Sequence, residues 1–163
     1  MADLGLYKLA EEVGAALKSR GLMLATAESC TGGWIAEAVT MVPGSSEWFE
    51  RGFISYTDIS KREMLDVKEA TLEQRGAVSE EVVREMASGA IARSHAQIAV
   101  AVTGIAGPGG ATPEKPVGTV CFAWCMKDGK PRSETKRYAG NRESVRKQSV
   151  EHALKGVLAL LAR

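Results

Sequence analysis

Along this 163-residue chain the apolar positions follow two different spacings in turn. From Leu4 to Arg20, the residues Leu6, Leu9, Val13, Ala16 and Leu17 share one face of a 3.6-residue repeat. This spacing predicts an amphipathic helix with Gly21 as its stop. The short run Leu22–Ala27 is apolar without a break, as a buried strand is, and Trp34, Ile35, Ala38, Val39 and Val42 return to helical spacing over about 31–41. Pro43-Gly44-Ser45-Ser46 interrupts the pattern, and Phe53-Ile54-Ser55-Tyr56 reads as a second strand. Asp58 is placed to cap a short helix carrying Lys61, Met64 and Leu65. A polar stretch from Lys68 to Ala77 follows, and Ser79 caps a helix over 80–93. Ile98-Ala99-Val100-Ala101-Val102 has no polar position, as expected of a central strand covered on both faces. After a glycine- and proline-rich loop come an apolar strand over 119–126, a hairpin signal at Asp128-Gly129, a charged edge strand over 132–138, and a final helix capped by Asn141.

Helices alternating with apolar strands and ending in one hairpin predict an α/β fold: a three-layer α/β/α sandwich around a mixed, mostly parallel sheet of about five strands. The expected organisation is one domain over 1–163, with no repeat or linker dividing it. Apolar residues make up 45% and charged residues 25%, which favours neither a disordered nor a membrane class. Lysine plus arginine number 21 against 20 acidic residues, so no overall basic footprint for direct nucleic-acid binding is present. No basic-then-apolar leader and no membrane-length apolar run occur, and a cytoplasmic location is expected. Cys30, Cys121 and Cys125 lack paired spacing and read as reduced thiols. With His95 and His152 the only histidines, no metal site is expected.

The strongest chemical signal is Glu28-Ser29-Cys30-Thr31-Gly32-Gly33, at the passage from strand to helix. Such a turn offers unpaired amides beside a hydroxyl, which suits a nucleophile with an oxyanion site, and it equally suits a simple helix cap. In open α/β sheets, sites gather beyond the carboxyl ends of strands. That rule brings the Ser29 turn, the segment after Tyr56 and the loop after Thr103 to one rim.

Four ordered words, Glu28–Gly33, Val42-Pro43-Gly44-Ser45-Ser46, Gly76-Ala77-Val78-Ser79 and Thr103-Gly104-Ile105-Ala106-Gly107-Pro108-Gly109-Gly110, resemble one family. The chain is similar to the carboxyl-terminal domain of CinA, the competence/damage-inducible family, whose members include nicotinamide mononucleotide amidohydrolases. It resembles the stand-alone form, without the larger amino-terminal domain of full-length members. The resemblance implies metal-independent hydrolysis of the nicotinamide mononucleotide carboxamide to nicotinic acid mononucleotide and ammonia, with no cofactor. It also implies a serine nucleophile aided by lysine and tyrosine, matching Ser29, Lys61 and Tyr56.

With no histidine in the three segments, Lys61 is the best candidate base. Its neutral form must then be populated, which requires lowering its pKa by roughly two to three pH units, about 3–4 kcal/mol against the charged form. Tyr56 either relays the proton between Ser29 and Lys61 or orients one of them, and the amides of Cys30, Thr31, Gly32 and Gly33 are the oxyanion donors. For a mononucleotide phosphate, the loop residues Thr103, Gly104, Gly107, Gly109 and Gly110 offer backbone and hydroxyl groups. Arg142 offers a guanidinium fork, with Arg146 one turn later. Two other readings are a nucleotide-binding module without turnover and a competence or DNA-damage interaction protein. A homo-oligomer is expected, with Leu6, Leu9, Val150 and Leu154 available to extend an interface.

Overall fold

The computed structural model describes residues 3–163. In chain order its elements are α1 (Leu4–Arg20), β1 (Leu24–Glu28), α2 (Trp34–Thr40), a 3-10 turn (Ser45–Glu47), β2 (Phe49–Ile54), α3 (Asp58–Leu65), α4 (Glu69–Arg75) and α5 (Glu80–Ala92). Then follow β3 (Ile98–Gly104), β4 (Thr119–Met126), β5 (Arg132–Arg137) and α6 (Arg142–Leu161). The strands form one sheet in the order β2-β1-β3-β4-β5. β1 is parallel to both β2 and β3, and β4 is antiparallel to β3 and β5, so four strands run one way and β4 alone opposes them. The mixed α/β sandwich expected from the apolar pattern is the observed architecture.

Alternation along the strands divides the core into two layers of different texture. Ile98, Val100 and Val102 of β3 join Leu24, Phe122 and Trp124 under α1, α2 and α6. On the other face, Ala25, Ala27, Ala99, Ala101, Ala123, Cys121 and Cys125 meet α5 and its neighbours. These short side chains let α5 lie close to the sheet, and Gly89 lets α3 lie close to α5. A β-carbon at position 89 would run into the Leu65 carbonyl at the end of α3. The depth of α3, and with it the position of Lys61, depends on that contact.

Several elements depart from the sequence reading. α2 starts at Trp34 rather than near Thr31, because Gly32 and Gly33 take positive φ angles of 58° and 103° and extend the turn. β2 begins at Phe49 and ends before Tyr56. As an edge strand exposed at Arg51 and Gly52, it needs no continuous apolar run to mark it. Thr57, not Asp58, caps α3, through a reciprocal capping box with Ser60. The polar stretch after Lys68 contains α4, anchored by the single buried residue Leu72. Leu6, Val150 and Leu154 lie in the core where α1 meets α6, so they are not available for a subunit interface. His152, on α6, bonds Glu134 at 3.0 Å and packs edge-on against Phe122 and Trp124.

The connections fix where a site can form. From β1 the chain passes through α2 on one face of the sheet to β2. It then returns through α3, α4 and α5 on the other face to β3, which flanks β1 on its opposite side. The chain therefore leaves the carboxyl ends of β1 and β2 toward opposite faces of the sheet and returns to β3 on the other side of β1, and such a switch point leaves a crevice.

Candidate active site

Ser29 follows β1 at this crevice, held by its N–H donating to the Val102 carbonyl at 3.1 Å. The adjoining Ser55 N–H donates to the Glu28 carbonyl at 2.8 Å. The crevice is a cleft of about 190 Å³ lined by Ser29, Cys30, Tyr56, Asp58, Lys61, Ala77, Val78, Thr103, Gly104, Ala106 and Arg142. All three rim segments contribute to it. A larger hollow of about 560 Å³ near α5 and Pro131 places no hydroxyl or thiol against a base, so size alone does not mark the site.

Lys61 reaches the cleft from the first turn of α3. Its Nζ donates to Ser29 Oγ at 2.9 Å, to the Ser55 carbonyl at 3.1 Å and to the Tyr56 carbonyl at 3.2 Å. The side chain is only 1% exposed, and no carboxylate forms an ion pair with it among the described residues. Burial therefore pulls its pKa below the usual lysine value, with the Asp58 carboxylate opposing the shift. A lysine so placed can exchange one proton with Ser29 directly. Cys30, by contrast, has its thiol pushed up to about 12 by burial and by the Glu28 charge, and stays protonated.

Tyr56 does not sit between the two as a relay. Its carbonyl accepts from Lys61 and, at 3.4 Å, from Ser29 Oγ, while its ring is 54% exposed and its hydroxyl meets Arg142 Nη2 at 3.0 Å. The direct 2.9 Å contact between serine and lysine leaves no gap for a phenol to bridge. Tyr56 thus orients both groups through its backbone and aligns Arg142 through its side chain.

Glu28 explains the shape of the turn. Its buried carboxylate accepts from Thr31 Oγ1 at 2.5 Å, from the N–H groups of Gly33 and Ile35 at 3.2 and 2.9 Å, and from that of Ala36 at 3.1 Å. It fills the amino-terminal end of α2, where an anion is favoured. The consequence narrows the oxyanion expectation: Gly33 donates to Glu28 and Gly32 donates to the Ser29 carbonyl at 3.0 Å. Only the Cys30 and Thr31 amides of the turn meet no oxygen acceptor among the described residues.

The glycine loop is likewise more committed than its composition suggests. The Ile105 N–H donates to the Thr119 carbonyl and the Gly118 N–H to the Ile105 carbonyl, both at 2.8 Å, so the loop base continues the β3–β4 ladder. Gly109 and Gly110 are exposed and outside the cleft lining. Gly107 lies against Val117 and presents its carbonyl, not its N–H, to Arg142 Nη1 at 2.9 Å. The Thr103 hydroxyl donates to the Ala77 carbonyl at 3.0 Å, tying β3 to the segment before α5. Gly104 and Arg142 remain in the lining. Arg146 is turned away from the cleft onto the Cys30 and Thr31 carbonyls. Asp58, Ala77, Val78 and Ala106 also line the site, brought there by the packing of α3, α5 and the loop; Ala77 and Val78 belong to the word Gly76–Ser79 and Ala106 to the word Thr103–Gly110, although none was expected as a site residue.

The chain is similar to known proteins over nearly its whole length. The CinA C-terminal domain matches residues 6–161. The nicotinamide-nucleotide amidohydrolase PncC of Escherichia coli strain K12 is 51% identical over 154 residues, spanning 94% of this chain and 93% of that protein. The PncC of Pseudomonas putida is 52% identical over 153 residues, spanning 93% and 94%. The crystal structure of the competence/damage inducible protein CihA from Agrobacterium tumefaciens superposes with a TM-score of 0.96 at 44% identity. It covers 100% of this chain and 99% of that one. With the domain match reaching from α1 to the end of α6, the chain belongs to the CinA C-terminal domain family.

Proposed function

We propose that this protein is a nicotinamide-nucleotide amidohydrolase that converts nicotinamide mononucleotide and water to nicotinic acid mononucleotide and ammonia. The observation that carries the reading is the buried Lys61 Nζ in direct contact with Ser29 Oγ, in a chain about half identical to nicotinamide-nucleotide amidohydrolases over nearly its whole length. Neutral Lys61 accepts the Ser29 proton as Oγ attacks the carboxamide carbon. The oxyanion that forms is met by the Cys30 and Thr31 amides. Lys61 then returns the proton to the departing nitrogen, ammonia leaves, and an acyl-serine remains. Water attacks this ester with Lys61 again taking a proton, and the carboxylate product is released with Ser29 restored. The substrate's pyridinium charge favours neutral Lys61 in the complex.

Arg142 is the phosphate group's partner in this reading. Two of its five N–H groups are occupied, by Gly107 and Tyr56, which hold the fork at the cleft and leave the others free. Ammonia release from nicotinamide mononucleotide in the presence of a chelator tests the function. Saturable binding without release would assign a binding module instead. Arg142→Ala is expected to lower kcat/KM about 10–100-fold for the mononucleotide, the worth of a lost charged hydrogen bond, and much less for the nucleoside. Equal losses on both substrates would remove Arg142 from phosphate recognition.

A further inference from the structure

We propose that Arg146 is a positioning residue for the oxyanion site, aiming the Cys30 and Thr31 N–H groups at the cleft by holding the carbonyls on the other side of the same turn. The inference rests on the serine-lysine amidase reading above. It concerns a residue that does not line the cleft.

The turn between β1 and α2 is held from within by the Glu28 carboxylate and by the Trp34 N–H, which donates to the Thr31 carbonyl at 3.0 Å, and Arg146 adds a hold from outside. Two of the turn's residues are glycines at positive φ, a conformation with few steric restraints of its own. Arg146, half-buried on α6, supplies that hold: Nε donates to the Cys30 carbonyl at 3.0 Å and Nη2 to the Thr31 carbonyl at 3.1 Å. Its guanidinium lies 5.5 Å from the centre of the Trp34 ring, which fixes the plane of the fork from below.

In a trans peptide, a carbonyl and the N–H of the next residue point in opposite directions. Binding the Cys30 carbonyl therefore turns the Thr31 N–H away from Arg146. Binding the Thr31 carbonyl sets the Gly32 N–H in the same way, and Gly32 donates to the Ser29 carbonyl at 3.0 Å. With the Ser29 carbonyl drawn into the turn, the Cys30 N–H points out of it. One guanidinium thus orients the Thr31 amide directly and, through the Gly32–Ser29 bond, the Cys30 amide, whose N–H otherwise meets its own thiol sulfur. Its charge on the carbonyl side also polarises the Cys30–Thr31 peptide toward greater positive character at nitrogen. A lysine has no fork with which to hold two carbonyls in one plane.

The test compares wild-type protein with Arg146→Ala, Arg146→Lys and Arg142→Ala by steady-state ammonia release from nicotinamide mononucleotide. Arg146→Ala is expected to lower kcat about 10–100-fold, somewhat less than deletion of a direct oxyanion donor. KM should stay within about twofold and the acid limb of the kcat profile should not move, because neither substrate binding nor Lys61 is touched. Millimolar guanidinium, but not ammonium, should restore part of the lost kcat, which general loosening of the fold would not allow. Arg146→Lys should show the same loss in weaker form, and it decides the matter if the alanine variant does not fold. An unchanged kcat in the folded variant, or a loss confined to KM as expected for Arg142→Ala, overturns the proposal. Inactive wild-type protein would instead show that the amidase reading itself is wrong.

Discussion

Replacing Ser29 by alanine is expected to lower kcat for nicotinamide mononucleotide by about 10⁴–10⁶-fold, the range seen when a hydrolase loses its nucleophile. KM should hardly change, since the hydroxyl contributes its bond to carbon in the transition state and little to ground-state binding. The fold should tolerate the change. Ser29 Oγ makes a 2.9 Å contact with Lys61 and a long 3.4 Å contact with the Tyr56 carbonyl, while Lys61 keeps two backbone acceptors without it. Two measurements check the expectation: ammonia release over long incubation, and a melting curve to confirm folding. Release within about tenfold of wild type would move the nucleophile elsewhere, and Cys30 would not be the replacement with a thiol pushed up to about 12.

The second large effect belongs to Lys61. Lys61→Met keeps most of the buried volume and removes the only amine that the described residues bring to the cleft, and kcat should fall about 10²–10⁴-fold, the usual worth of a positioned base. The pH profile carries the sharper signature. The base works when neutral, so the wild-type rate rises with pH through the Lys61 pKa, and burial places that rise below the ordinary lysine range. Lys61→Met should lose this acid limb. Asp58→Asn removes the carboxylate that favours the ammonium, lowers the Lys61 pKa further and should shift the limb to lower pH without large loss of kcat. A limb that shifts upward, or persists unchanged in Lys61→Met, would assign the titration to another group.

These two side chains show how the site is assembled. Ser29 and Lys61 are 32 residues apart in sequence and lie on different layers, one after β1 and one on α3. Their meeting needs the capping box that starts α3 directly after Tyr56 and the glycine at position 89 that lets α3 settle against α5. The exposed apolar side chains Ile54, Tyr56 and Ile59 run from the last residue of β2 to the start of α3.

Much of this was legible in the order of residues. Unbroken apolar runs such as Ile98–Val102 mark strands buried on both faces, and the regular stripes of α1, α5 and α6 mark helices, because both signals depend on neighbours a few positions away. The start of β2 and the whole of α4 escaped because an edge strand and a one-anchor helix need little apolar patterning. The resemblance to the CinA carboxyl-terminal domain pointed to Ser29, Lys61 and Tyr56, and the strand-end rule to the common rim at which the structure brings them together.

Which atoms face one another was not legible. Gly32 and Gly33 look like free donors in sequence, yet their N–H groups are taken by the Ser29 carbonyl and by Glu28. Tyr56 serves Ser29 and Lys61 with its carbonyl while its hydroxyl turns to Arg142. Arg142 and Arg146, one helical turn apart, diverge to the cleft and to the back of the turn that carries Ser29. The sequence by itself determined the elements, their layering and the chemical types at the rim, all of which follow from short-range periodicity and turn chemistry. Only the tertiary structure decided which donors are spent and which are free, because each hydrogen bond is claimed by whichever partner the packing of distant elements brings nearest.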